Sequence, residues 1–415
     1  MHYRFIPSAF LLGLFASVKI NLLGELYLGE ILGLGYVTAQ IFKLCLSREQ
    51  KRILLFASFW AGAQLVSDIY NETEALDAMK GVLSPVIFGA TFAFIGGYLK
   101  NDIQRCPAML TGIILGGIVQ LILFPNPYFL LNYWKWGLGS AALGLFAVYV
   151  SFYFQRVESY LIFGLSLCFS TLSLALGSRS LAVFPLIASI AYSFFHRQRV
   201  ETREKTFIWR LGIIKSIIIA LPLLIILNYT LGFILSSEAA LSLLPSDSAT
   251  TYRLQAAGAY GLLLGGRSEV LASLPAFWDK PLLGHGSWAK DIGGYQNEYL
   301  YLRYQLGYLS HEGADYTNNL TSMLIPTHSY LMAALVWAGV MGGAFWLITL
   351  QKSLQLFINN AASLPYYFYV GITDFTWNVF FSPFGASSRW NSSVFLAVLF
   401  ASAKIAELKR KSVVR

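Results

Sequence analysis

Charge is what this chain has least of. Only 12% of its 415 residues are Asp, Glu, Lys or Arg, against roughly one quarter in soluble domains, which excludes a water-soluble globular protein. Cysteine is scarce too. Cys45, Cys106 and Cys168 are the three present, all in or beside apolar stretches, so a disulfide framework is excluded. No CxxC pair or His/Cys cluster is spaced for zinc, and no Walker or GxGxxG loop is present for a nucleotide. No metal and no cofactor are therefore expected. Internal repeats and low-complexity linkers are absent, which leaves one integral membrane domain spanning 1–415.

What the chain does have is hydrophobic length, with 56% of its residues apolar. A crossing takes about 20 apolar residues, and about twelve stretches qualify: 5–23, 27–45, 53–70, 82–99, 107–124, 138–155, 160–176, 181–195, 211–235, 328–350, 362–380 and 391–405. The first is too long, and too closely followed by others, to read as a cleaved signal peptide. The expected fold is an all-α polytopic membrane protein.

Basic residues orient it. Arg48, Lys51 and Arg52; Lys100 and Arg105; Arg156; Arg197, Arg199, Arg203, Lys205 and Arg210; and Lys404, Lys409, Arg410, Lys411 and Arg415 all fall on one side. The connections on the other side carry few basic residues, and Asn71-Glu72-Thr73-Glu74 is acidic. Positive loops stay inside, so both termini are expected in the cytoplasm, and the long polar segment 236–327, between spans 9 and 10, outside. The same asymmetry accounts for the net charge of +9 without invoking nucleic acid.

Three residues stand out against this background. Arg179, in Leu176-Gly177-Ser178-Arg179-Ser180, sits where two spans meet almost without a loop. A helix-end arginine can simply snorkel, but a guanidinium at a helix N-terminus also suits a phosphate. Arg267 precedes a stretch, Ser268 to Trp278, whose Val270, Leu271, Leu274, Phe277 and Trp278 share one face, as in an amphipathic helix lying on the outer leaflet, with Pro275 expected to kink it or end its first half. Its alternative is a surface arginine on a solvated loop. His328 follows Pro326-Thr327, a helix start with Thr327 as a candidate N-cap. Early in a helix the dipole favours a neutral imidazole, the form a general base requires; a plain interfacial residue is the other reading. His285, between glycines, and Asp374 and Arg389, near the outer ends of the last spans, are candidate acceptor or sugar contacts. Tyr295, Tyr299, Tyr301, Tyr304 and Tyr308 suit either carbohydrate stacking or an interfacial aromatic belt.

Several of these residues fall in recognisable runs. Gly266-Arg267-Ser268-Glu269, Trp278-Asp279-Lys280 and Pro281-Leu282-Leu283-Gly284-His285-Gly286 resemble the loop signature of the O-antigen ligase and O-antigen polymerase superfamily. His328-Ser329-Tyr330-Leu331, followed by Trp337-Ala338-Gly339-Val340-Met341-Gly342-Gly343, resembles its histidine and the small apolar, Gly-rich helix after it. Ser178-Arg179-Ser180 looks like its Ser-Arg-Gly motif, with serine in place of glycine. Ser329 stands where the family more often has Asn. The likeness runs from about Gly177 to Gly343; the first six spans match only in hydropathy.

The resemblance implies a type-C glycosyltransferase arrangement that moves a glycan from undecaprenyl diphosphate to a sugar hydroxyl at the outer face of a bacterial inner membrane. Arg179 and Arg267 would hold the diphosphate and His328 would be the base. The acceptor is either another lipid-linked repeat, as in a polymerase, or lipid A-core, as in a ligase. The outer loops lack a further basic cluster for a phosphorylated core, which favours the polymerase. Polysaccharide-assembly proteins are the expected partners besides substrate and membrane lipid. A flippase or other transporter is the competing class, since about twelve spans suit it equally; transporters, however, often show internal repeats and midplane sites.

Overall fold

The computed structural model describes residues 6–22, 24–43, 46–100, 102–125, 127–152, 158–201, 269–308 and 324–414, with scattered residues between 229 and 259. Arg267, His311, Cys45 and nearly all of the expected span 211–235 lie outside the described residues.

The described chain is almost entirely helical. α1 (Pro7–Ala16) leads into a short antiparallel hairpin, β1 (Lys19–Asn21) and β2 (Glu25–Tyr27). Then come α2 (Leu28–Lys43), α3 (Arg48–Tyr70), α4 (Ala75–Leu99), α5 (Arg105–Leu123), α6 (Pro127–Leu131), a π-helical turn (Trp134–Leu138) and α7 (Gly139–Phe152). α8 (Ser159–Ala175) and α9 (Arg179–Glu201) follow. The polar segment contributes α10 (Val270–Asp279) and α11 (Tyr295–Gln305), and α12 (Tyr330–Asn360), α13 (Tyr366–Phe381) and α14 (Ala386–Val414) complete the bundle.

Six helices among the described residues are long and apolar enough to cross a membrane: Arg48–Tyr70, Ala75–Leu99, Arg105–Leu123, Trp134–Phe152, Tyr330–Ser363 and Ala386–Leu408. Three shorter apolar helices, Pro7–Ala16, Ser159–Ala175 and Arg179–Phe195, pack among them. The molecule is thus a multi-pass all-α membrane protein; six helices among the described residues have the length for a crossing, where the sequence suggests about twelve spans. Large side chains such as Phe59, Ile69, Leu123 and Phe124 point outward, as they do where lipid rather than water surrounds a bundle.

Polar anchors relate the helix ends. The backbone amide of Lys19 donates to Gln120 Oε1 at 2.6 Å, placing the hairpin beside the end of α5. The amide of Tyr367 donates to Ser151 Oγ at 2.6 Å, joining the start of α13 to the end of α7 at the other end of the bundle. Arg48, Lys51 and Arg52 lie exposed at the start of α3, whereas its last two turns meet the polar segment. The start of α3 is set by a reciprocal cap: Ser47 Oγ accepts from the Gln50 amide (3.3 Å), and Gln50 Oε1 from the Ser47 amide (2.7 Å).

The packing core lies between α3, α4, α12 and the α13–α14 connection. Trp60, Phe88, Phe345, Trp346 and Phe384 make mutual ring contacts, including Trp60–Phe345 at 5.0 Å and Trp346–Phe384 at 5.1 Å. Such pairs contribute about 0.5–1.5 kcal/mol each beyond simple burial.

α12 is not continuous. Gly339 has φ 64° and ψ −160°, so the helix breaks there. A break leaves backbone groups without helical partners, and in a membrane those must be met by protein. Residues 281–286 meet them. The Val340 amide donates to the Pro281 carbonyl (2.8 Å), the His285 amide to that of Val336 (2.7 Å) and the Gly286 amide to that of Trp337 (3.1 Å). Gly284, at φ +74°, lies against this backbone so closely that an added Cβ would stand 2.6 Å from the Trp337 carbonyl carbon.

The polar segment is fixed to α3 as well. Asp68 Oδ1 accepts from the Ser287 amide (2.6 Å) and Oδ2 from Ser287 Oγ (2.9 Å). Ser67 Oγ donates to the Trp337 carbonyl (2.7 Å) and accepts from the Gly286 amide (3.0 Å). Asn71 Nδ2 donates to the Gly284 carbonyl (3.1 Å), and Lys280 Nζ to Asn71 Oδ1 (2.6 Å). Gln64, Ser67 and Asp68 are all buried. An unmatched buried polar group costs about 1–3 kcal/mol, so satisfied groups in such number fix the segment's place firmly.

Candidate functional site

His328 is held by its neighbours on three sides. Upstream, Leu324 bridges to Lys290 and the Ile325 amide donates to the Ala289 carbonyl (3.0 Å). From the side, Ser273 Oγ of α10 donates to the Pro326 carbonyl at 2.5 Å and also contacts its own helix at the Glu269 carbonyl (3.0 Å). Downstream, Ser329 caps α12, accepting from the Met332 amide (3.1 Å) and donating to the Val379 carbonyl of α13 (2.8 Å). The cap is therefore Ser329, not Thr327 as the sequence suggests, and His328 immediately precedes it. Its imidazole is exposed and lines a narrow cleft with Glu269, Val270, Ser273, Met332, Phe380 and Phe381.

Arg179 comes to the same end of α13 by a different route. The α8–α9 turn is tight: the Ser178 amide donates to the Ser173 carbonyl (2.8 Å), and Gly177 takes φ +79°. Ser178 is buried and Arg179, the first residue of α9, is half-buried. α9 then runs antiparallel to α13, with Phe184 against Trp377 (5.8 Å) and Tyr192 against Tyr369 (5.2 Å). Trp377 in turn meets Phe381 (4.7 Å), a wall of the His328 cleft. A partly buried guanidinium at a helix start and an exposed imidazole thus flank the C-terminal end of one helix. Arg267, two residues before Glu269, lies outside the described residues.

The remaining candidates occupy other surroundings. Arg389 is buried and bidentate to Glu30, Nε to Oε1 at 2.7 Å and NH2 to Oε2 at 2.9 Å, with further bonds to the Glu25 carbonyl and Ser84. That is the geometry of a latch between α2 and α14. Asp374 accepts from Asn378 Nδ2 (3.0 Å), a turn farther along α13.

His285 is half-buried under α10, its Nε2 2.7 Å from the Ala276 carbonyl, which makes Nε2 the protonated nitrogen, with its ring edge-on to Tyr295 at 5.7 Å. Burial pushes the His285 pKa below its usual value of 6.5, more than the Ala276 bond raises it. A depressed folded-state pKa stabilises the docked segment fully above the unfolded value and loses that contribution as pH falls through the folded one. The thermal midpoint is therefore expected to be level at pH 7–8 and to decline below about pH 6.5. His285→Gln should flatten that decline; an unchanged decline in the variant would assign it to another group. Burial, and next the Asp279 carboxylate that Tyr295 contacts (2.5 Å), push the Tyr295 phenol upward, so it stays a hydrogen-bond donor at neutral pH.

α10 presents an arrangement the sequence only half discloses. Ala272, Ser273 and Ala276 are buried, while Val270, Leu274 and Trp278 are exposed, Trp278 by 67%. Of the expected apolar stripe, Val270, Leu274 and Trp278 turn away from the protein, while Leu271 and Phe277 are half-buried against it. Pro275 is accommodated within the helix.

Gln64, Ser67, Asp68 and Asn71 escaped notice from sequence, although their spacing carried a signal. Polar residues at i, i+3, i+4 and i+7 in an apolar span define one helical face. Glu269 carries no separate signal in the sequence beyond closing the Gly266–Glu269 run. Among the described residues no group of three or more His, Cys, Asp or Glu side chains is placed to hold a metal ion. Comparison with family models gives no match, and neither does comparison with curated proteins or with solved structures.

Proposed function

We propose that this protein is a membrane glycosyltransferase that moves a glycan from undecaprenyl diphosphate to a sugar hydroxyl, most simply as an O-antigen or exopolysaccharide repeat-unit polymerase. The observation that carries this reading is the shared location of His328 and Arg179. An exposed imidazole in a clamped segment and a half-buried guanidinium at a helix start flank the same end of α13. In this reading that end faces the periplasm. The exposed Arg48, Lys51 and Arg52 at the opposite end support a cytoplasmic placement there by the positive-inside rule.

The chemistry follows from those groups. His328 takes the proton of the acceptor hydroxyl as its oxygen bonds to the anomeric carbon. The carbon–oxygen bond to the diphosphate breaks, and the diphosphate leaves with the electron pair. Attack opposite the leaving group inverts the anomeric centre. Arg179, joined by Arg267 in this proposal, neutralises the charge growing on the diphosphate. A positioned base contributes about 10²–10⁴ in rate.

Purified protein in nanodiscs, given an undecaprenyl-diphosphate oligosaccharide, should form a new glycosidic bond and release undecaprenyl diphosphate without nucleotide or ion gradient. His328→Ala should lower kcat at least about 100-fold while leaving the unfolding midpoint in place. Full activity in that variant removes His328 as the base. Elongation with a second lipid-linked repeat identifies a polymerase, and transfer to lipid A-core a ligase. Glycan crossing the bilayer with no new bond would overturn the proposal in favour of a transporter.

A further inference from the structure

Glu269 shares the cleft with His328, and its surroundings are unusual for a carboxylate. Its Oε2 is buried, and no hydrogen bond reaches it among the described residues. A carboxylate oxygen withdrawn from water without a donor is costly, and the cost falls only when a donor arrives. His328 faces the same cleft, and no hydrogen bond to its ring is found among the described residues.

Two clamps keep the groups near each other. The Glu269 carbonyl accepts from the amides of Ala272 and Ser273 (both 3.1 Å), which fixes the residue at the start of α10. Ser273 Oγ then reaches across to the Pro326 carbonyl, two residues ahead of His328. His328 is exposed, whereas Glu269 is half-buried with one oxygen withdrawn from solvent.

We propose that Glu269 is a positioning residue for His328: its carboxylate accepts the imidazole N–H and so leaves the other ring nitrogen to take the acceptor's proton. This rests on the reading of His328 as the base. The two side chains line the same cleft, which is the juxtaposition the bond requires. Once His328 has taken the proton, the carboxylate faces an imidazolium, so the same contact stabilises the charge that develops during transfer. Glu269 touches neither substrate nor leaving group in this role.

The tautomer of His328 tests the proposal without any substrate. Ring 15N shifts of histidine-labelled protein in nanodiscs, above neutral pH, should show one tautomer for His328 in the wild type; the chain has five histidines, and loss of the signal in His328→Gln assigns it. Glu269→Leu, which offers no acceptor, should give a mixture of tautomers, and Glu269→Asp should restore much of the single form. Glu269→Gln, close in shape and able to donate, should shift the population toward the opposite tautomer and covers the case in which the leucine variant fails to fold. In turnover, Glu269→Leu should lower kcat at least about 10-fold with KM within about threefold. An unchanged tautomer population in both the Leu and Gln variants overturns the pairing, whatever the enzyme transfers. Full activity of His328→Ala overturns the base assignment instead, and leaves the tautomer result standing on its own.

Discussion

Gly339→Ala is expected to destabilise the protein by about 3 kcal/mol or more and to release residues 281–286 from α12. Two costs coincide at this position. The backbone at φ 64° and ψ −160° lies in a region that L side chains scarcely enter, worth about 1–3 kcal/mol of strain. An added Cβ would also stand 2.1 Å from the Leu282 carbonyl oxygen and 2.4 Å from its carbon. Both are backbone atoms, so no flexible side chain can yield; the segment must move. Moving it strands the Val336 and Trp337 carbonyls and the Val340 amide. Denaturant unfolding in detergent measures the loss, and hydrogen exchange at the His285 and Gly286 amides reports the release. Gly35→Ala is the control: an added Cβ at Gly35, in α2, meets nothing within 4 Å, so the change should be neutral or stabilise by up to about 1 kcal/mol. Equal stability of the Gly339 and Gly35 variants would mean that the break in α12 is not held by this contact.

Arg389→Met is the second large effect, at about 3–5 kcal/mol, because it leaves Glu30 buried without its cation. Glu30 is wholly buried and Arg389 is 7% exposed, so water gives little relief to whichever partner survives. Glu30→Leu alone should be comparably harmful. The double replacement, Glu30→Leu with Arg389→Met, should recover most of the loss, since two apolar side chains of similar size need no desolvation. Thermal midpoints of the four proteins close a double-mutant cycle, and additive losses would show that the pair is not energetically coupled. The same four proteins decide what Arg389 does in the proposed transfer. A stable double variant with normal turnover confines Arg389 to the latch, whereas a stable but inactive one makes it a substrate contact.

The all-helical membrane fold was legible because apolar length is a one-dimensional signal, and α10 was legible from its periodicity. Its orientation was legible only in part, since Leu271 and Phe277 of the expected outward stripe pack inward. Val270, Leu274 and Trp278 face outward while Ala272 and Ala276 face the protein, an arrangement suited to lipid, which gives large apolar side chains no reason to hide. The cap at Ser329 was misplaced by two residues because Thr327 is an equally good capper and only the bond from Ser329 to Val379, 50 residues away, favours the serine. Gly339 stood in a run with Gly342 and Gly343, and nothing local distinguishes it. It is singled out by the Leu282 carbonyl, a tertiary neighbour. Of the candidate site, His328 and Arg179 were visible as isolated polar residues at span ends. Glu269 became visible only through the burial of one oxygen, and burial is not written in a motif.

The latch between Glu30 and Arg389 also has a history during synthesis. The partners are 359 residues apart, so at about 5–20 residues per second the ribosome makes the arginine roughly 20–70 s after the glutamate. Throughout that interval α2 carries a carboxylate with no cation to meet it, and the early helices can be threaded but not closed. The latch thus joins α14 to α2, a helix made long before it. A chain that stalls or is cut before Arg389 would leave the unlatched N-terminal half to membrane quality-control proteases.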